Sequence, residues 1–188
     1  MTKKVLIVAI SVLVVSFVSL CQTCNAEVSL RHFNEAIGVL SNFEENTLLL
    51  VNRIAHAIKS SNTSVGEEES LIYSTFIVES SLEYDLDPFL VTALAFVESK
   101  FNPRATNKRK TTVGIMQIHQ PTWKLKDPHN IRLNINFGCK ILKELIQKYP
   151  ESYLRRYAGF GDSKTEKSIS YVRKVRKIEK QLKAQSSF

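Results

Sequence analysis

Glu98 is the residue in this chain best suited by type and setting to acid–base chemistry. It follows Phe89, Leu90, Ala93, Leu94, Phe96 and Val97, a run too apolar all round for a surface helix, which predicts a buried one. Pro88 suits the first turn of that helix, where a missing N–H costs nothing. Asp85 or Asp87 can cap the free amides. Pro103 and the polar residues 102–112 are expected to end it. Glu98 then falls in the last turn, where burial and the negative end of the helix dipole both disfavour its charged form. A carboxyl still protonated near neutral pH is what a general acid needs. The same spacing also fits an exposed last-turn residue or a buried ion-pair partner.

Other reactive types are less pointed. Glu79 and Glu83 lie one turn apart on an expected helix and read best as a solvated face. His32 and His56 are isolated, without metal-ligand spacing, and are expected on the surface or a helix face. No Gly-rich phosphate loop or paired-Cys metal pattern occurs in the sequence.

Several motifs around and beyond Glu98 carry a resemblance. They are Glu98-Ser99, Phe101-Asn102-Pro103, Gly114-Ile115-Met116-Gln117-Ile118, Asn134-Ile135 with Gly138 and Leu142, Arg156-Tyr157-Ala158-Gly159-Phe160-Gly161, and Tyr171-Val172-Arg173-Lys174-Val175. In that order, over residues 71–175, they resemble the lytic transglycosylases with a lysozyme-like (soluble-lytic-transglycosylase) domain. The resemblance implies a mainly α, lysozyme-like fold. It implies peptidoglycan as substrate, with Glu98 acting first as acid on the β-1,4 bond of N-acetylmuramic acid and then as base. The hydroxyl on carbon six of the same sugar closes a 1,6-anhydro ring, and no metal or organic cofactor is needed. It further implies that Ser99, Asn107, Met116, Gln117 and Tyr157 line or position the sugar, with Tyr157 hydrogen-bonding near the glutamate. Two positions depart from the pattern. Asn107 stands where a serine is usual and Ala158 where an asparagine is usual, and the loop holding Lys108, Arg109 and Lys110 is about one residue longer. Asp162 could supply a second carboxylate, but its distance from Glu98 is not fixed by sequence. A goose-type-lysozyme-like hydrolase and a non-catalytic wall-binding protein on the same fold stay open as alternatives.

The elements that must position these residues read as helices. Residues 27–60 repeat apolar side chains at threes and fours (Phe33, Ile37, Leu40, Phe43, Leu48, Val51, Ile54, Ala55, Ile58), giving one or two helices before a break at residues 62–66. Glu67, Glu68 and Glu69 mark the start of the next helix, where the dipole favours acids, and it is expected to end near Tyr84. An amphipathic helix is expected over residues 131–149. Gly138 inside it points to close packing, since it costs about 1 kcal/mol against alanine. The closing helix, about residues 163–185, turns Ile169, Val172, Val175, Ile178 and Leu182 inward and Lys167, Arg173, Lys174, Arg176, Lys177, Lys180 and Lys183 outward. Trp123 reads as core, although it could stack on a sugar.

The amino end sets the address. Lys3 and Lys4, the apolar residues 5–20, and Cys24-Asn25-Ala26 have the layout of a secretory signal peptide, cut after Ala26. The apolar run is shorter than the ~20 residues that a membrane span needs, so membrane attachment is expected only if this segment is retained. The division predicted is a signal peptide over 1–26, an N-terminal helical extension over 27–66, the lysozyme-like domain over 67–180 and a tail over 181–188. Cleavage would leave Cys139 as the one cysteine, in an apolar helical pattern that reads as a buried small hydrophobe. The whole chain carries a net charge of +8, which suits an anionic partner. For an exported chain that is cell-wall polymer and not nucleic acid. A wall-spanning secretion, conjugation or flagellar assembly is a further partner that the resemblance suggests.

Overall fold

The computed structural model describes the backbone of residues 24–185. Residues 1–23, which hold most of the signal peptide expected over 1–26, lie outside the described residues. Eight helices and one short hairpin follow in chain order. They are α1 (Cys24–Leu40), α2 (Glu45–Ser61), α3 (Glu67–Glu83), α4 (Pro88–Ser99), β1 (Thr112–Val113), β2 (Ile118–His119), α5 (Gln120–Trp123), α6 (Ile131–Lys148), α7 (Tyr153–Tyr157) and α8 (Glu166–Gln185). No described helix is long and apolar enough to cross a membrane.

The most deeply buried helices are α3 and α4. In α4 every residue from Phe89 to Ala95 is buried, the packing that its all-round apolar sequence dictates. Asp87 caps it, its Oδ1 accepting from the Phe89 N–H at 2.9 Å, and Pro88 occupies the first turn. Around this centre α1 and α2 pack on α3, α6 packs on the other side of α3, and α8 lies along α4. The pair α1–α2 joins the same hydrophobic core through Phe33, Ala36, Val51, Ile54 and Ile58.

Helix α4 does not wait for Pro103 to end. Lys100 and Phe101 both take left-handed backbone angles (φ 55° and 65°), a conformation that costs non-glycine residues about 1 kcal/mol or more each. The side chain of Phe101 offsets that cost. It is 2 % exposed and sits against the rings of Tyr73 and Phe96, at 6.4 and 5.9 Å between centroids. The side-chain amide of Asn62, just past α2, also donates to the Lys100 carbonyl at 2.9 Å.

Several surface expectations change. Of the two acids expected on a solvated face, Glu83 is exposed and accepts from the Asn136 side chain at 2.6 Å, whereas Glu79 is half-buried and pairs with Arg132, so α3 is tethered to α6. His32 is buried, because α1 presents that face to α3; His56 is exposed. On α8 the buried stripe runs Ser168, Val175, Glu179 and Leu182, and Ile169 is turned out. Ser168 replaces Ile169 inside because its hydroxyl is satisfied by the Ser163 and Thr165 carbonyls, at 2.6 and 2.9 Å, closing the first turn of the helix. Trp123, expected in the core, is exposed instead, standing edge-on to Phe137 at the surface. Cys139 is a buried free thiol.

Candidate active site

Glu98 lies at the last turn of α4, mostly buried but open on one side. The antiparallel crossing of α8 covers it. Tyr171, near the start of α8, hydrogen-bonds the Glu98 carboxylate, while Lys183 at the far end of α8 pairs with Asp87 at the start of α4. The two helices are thereby held in register at both ends. Phe160 closes over Tyr171 edge-to-face, 6.2 Å between ring centroids.

The electrostatics follow from this packing. Burial raises the Glu98 carboxyl from the ordinary 4.5 to about 6. The Tyr171 hydrogen bond and the Lys174 ammonium pull the other way and limit the rise. Tyr171 itself is held far above its usual range by burial and by the neighbouring carboxylate, so it remains a hydroxyl donor. Tyr171 takes Oε1 of Glu98. Oε2 has no protein donor among the described residues and is the oxygen left to exchange a proton. Among the described residues the charge that acts on Glu98 is that of the Lys174 ammonium, and no second carboxylate acts on it. Asp162 is engaged elsewhere, accepting from Ser152 at 2.7 Å and pairing with Arg156.

The other residues expected at the site divide into two groups. Ser99 and Tyr157 stay beside the acid. Ser99 bonds back to the Ala95 carbonyl within α4, at 3.3 Å. The Tyr157 hydroxyl donates to the Met116 carbonyl at 2.9 Å and not to Glu98, yet the phenol is close enough for the Glu98 charge to raise its pKa further after burial has done so. The tyrosine on the carboxylate is therefore Tyr171, from the closing helix, and Tyr157 anchors the hairpin turn beside it.

Asn107, Met116 and Gln117 differ from expectation, because the hairpin consumes them. The Asn107 amide ties its own loop, accepting from the Thr111 N–H at 2.8 Å and the Thr112 N–H at 3.3 Å and donating to Thr111 Oγ1 at 2.9 Å. Gln117 sits at φ 48°. Its Nε2 donates to the Ala105 and Gly114 carbonyls at 3.0 and 2.9 Å, and its Oε1 accepts from Thr112 Oγ1 at 2.8 Å. Met116 is fully buried, so its side chain faces α6 and not solvent; a Cβ on Gly138 would lie 2.7 Å from it. That approach is why α6 carries a glycine there.

Three residues do more than their place in a motif announces. Asn134 on α6 is buried. It accepts from the Met116 N–H at 2.8 Å and donates to the Val113 and Pro128 carbonyls at 3.0 and 2.9 Å. It also presses on Gly114, where a Cβ would come within 2.2 Å of its amide nitrogen. Tyr171 and Lys174, three apart on one helix, share a face; that spacing is the signal sequence offers, and the α4–α8 crossing supplies its meaning. Among the described residues no group of His, Cys, Asp and Glu is arranged to hold a metal ion.

Residues 75–181 match the family model of the transglycosylase SLT domain. Neither the curated proteins nor the solved structures compared with the chain gave a match. The matched segment spans more than half of the chain and contains Glu98, the hairpin, and Tyr171 with its helix. The chain belongs to the transglycosylase SLT domain family, with the family's mainly α, lysozyme-like fold and its peptidoglycan-directed, lytic-transglycosylase type of function.

Proposed function

We propose that this chain is a peptidoglycan lytic transglycosylase that cleaves the β-1,4 bond between N-acetylmuramic acid and N-acetylglucosamine. Glu98 is its catalytic residue. Protonated Glu98 gives its proton to the glycosidic oxygen as the bond from that oxygen to carbon one of the muramic acid breaks. The carboxylate so formed takes the proton of the carbon-six hydroxyl, whose oxygen bonds to carbon one and closes the 1,6-anhydro ring. The proton account balances on one residue, and water is not consumed. Glycosidases that hydrolyse normally flank the bond with two carboxylates. The observation that carries this reading is the reverse: one carboxyl raised to about 6, with an oxygen that no described residue donates to, acted on by a cation and, among the described residues, by no second acid. Tyr171 steadies the carboxylate between its two roles. Ser99 and Tyr157 border the sugar, and Tyr157 also fixes the turn backbone at Met116.

The proposal extends to the setting. Residues 1–26 act as an export signal, and residues 27–66 form a helical extension of a domain over 67–180, which works in the cell envelope. The test is mass spectrometry of digested peptidoglycan. Muropeptides one water lighter than the hydrolysis products, lost in Glu98→Gln, are expected. Reducing muramic acid ends from the wild-type chain would overturn the transglycosylase in favour of a hydrolase.

A further inference from the structure

The outer face of α8 is more basic than the fold requires. On its inner flank the charges are matched: Arg176 and Lys183 both pair with the buried Glu179, at 2.7 and 2.8 Å. On its outer flank Arg173, Lys174, Lys177 and Lys180 are all exposed. Arg173, Lys177 and Lys180 have no ion-pair partner among the described residues. The stripe is not remote from the site. It starts at Lys174, one turn beyond Tyr171, whose charge is felt by Glu98. At about 1.5 Å rise per residue it continues about 9 Å along the helix to Lys180.

Like charges three and four residues apart on an exposed helix face repel each other. Such a row is stabilised when an anionic ligand lies along it. A path of positive potential leading to an active acid also concentrates a negatively charged substrate there. The substrate class proposed for this chain comes in two forms, a glycan bearing carboxylate-rich stem peptides on its lactyl groups and a glycan from which they have been removed. Removing a peptide leaves one lactyl carboxylate held against each muramic acid. A stem peptide replaces it with several carboxylates that reach away from the sugar strand. The two forms therefore differ in how many negative charges they carry and how far these extend.

We infer that Arg173, Lys177 and Lys180, continuing from Lys174, form a subsite that binds the carboxylates of stem peptides, so that the chain prefers peptide-bearing over peptide-free glycan. This rests on the transglycosylase reading and adds a substrate preference to it. Exposed charge contacts are individually weak, so the three together are expected to change KM by about fivefold, toward the low end of what three such contacts can give.

The test compares uncross-linked glycan strands carrying their stem peptides with the same strands stripped by an amidase. In Arg173→Gln/Lys177→Gln/Lys180→Gln, KM for the peptide-bearing strands is expected to rise about fivefold at low salt. KM for the stripped strands and kcat for both should not change. The charge-keeping variant Arg173→Lys/Lys177→Arg/Lys180→Arg should behave as wild type, and high salt should erase the difference. An unchanged KM on both substrates, or an equal change on both, overturns the inference. So does loss of binding to phosphatidylglycerol vesicles with KM unaltered, which would make the stripe a lipid-binding face. If the wild-type chain releases no anhydro product from either substrate, the transglycosylase reading fails by itself. Sedimentation of Glu98→Gln with peptide-bearing and stripped strands then decides the subsite, with equal binding to the two overturning it.

Discussion

Two regions meet at the candidate site, and they treat polar side chains in opposite ways. In and against the hairpin, Asn107, Gln117 and Asn134 spend their amides on backbone groups and on the Thr111 and Thr112 hydroxyls. At the α4–α8 crossing, Glu98 is buried with one donor and one oxygen left open. Buried polar groups are normally satisfied, so the hairpin is ordinary structural physics that fixes a backbone trace. The Glu98 oxygen that no described residue donates to is not sealed in the core, and an accessible acceptor on a raised carboxyl is what has capacity for chemistry. Asn107 and Gln117, by contrast, would meet a sugar only by sharing atoms that the hairpin already engages. What separates the two kinds is whether an accessible hydrogen-bonding atom is left over.

That contrast can be broken most severely at Glu98. Glu98→Gln keeps the shape and the Tyr171 contact but removes the proton, and kcat is expected to fall about 10³-fold with the melting temperature not lowered. A variant within tenfold of wild type, measured by release of soluble muropeptides, would mean that another group supplies the proton. Next comes the hairpin side. Asn134→Ala strips three hydrogen bonds from a buried position and should cost about 3 kcal/mol of stability in urea unfolding. Gln117→Ala should cost about 2 kcal/mol by the same measure, with the catalytic rate reduced only in proportion to folded protein. A Gln117→Ala chain of normal stability but poor KM would return Gln117 to the sugar-binding residues and erase the distinction.

Smaller effects sharpen the picture of the acid. Since the carboxyl is raised to about 6, the folded chain holds a proton more tightly than the unfolded chain does. Stability is therefore highest with Glu98 protonated and declines as pH rises from about 4.5 to above about 6. Glu98→Gln removes this penalty, and should be about 1–2 kcal/mol more stable than wild type at pH 7.5, with the gain absent at pH 4. Equal stabilities at both pH values would show that burial does not press on the carboxyl. The smallest expected change is in Tyr171→Phe. The lost hydrogen bond favoured the ionised form, so the falling alkaline limb of the kcat/KM profile should move to higher pH. A shift to lower pH would contradict the arrangement of the two helices.

Sequence carried the helices well, because their signals are local. Pro88 and Asp87 open α4, three acids open α3, and the apolar spacing of residues 131–148 gives α6. The stretch ending in Glu98 was legible as a buried acid for the same reason, since an apolar run with one carboxylate at its end has few other ways to fold. The end of α4 was less legible. Pro103 is the visible breaker, yet the chain reverses at Lys100 and Phe101 because Tyr73 and Phe96 offer Phe101 a place in the core. Likewise, nothing local announces that His32 is buried or that Glu79 answers Arg132.

By itself the sequence determined which residue could hold a displaced proton, and it did so through short-range rules of burial and helix polarity. Only the tertiary structure decided which tyrosine touches that residue, and that the motif amides are spent on the backbone. Those outcomes depend on pairs far apart in the chain, Glu98 with Tyr171 and Met116 with Asn134. Their meeting is fixed by how whole helices pack, a sum over many side chains that no single segment encodes.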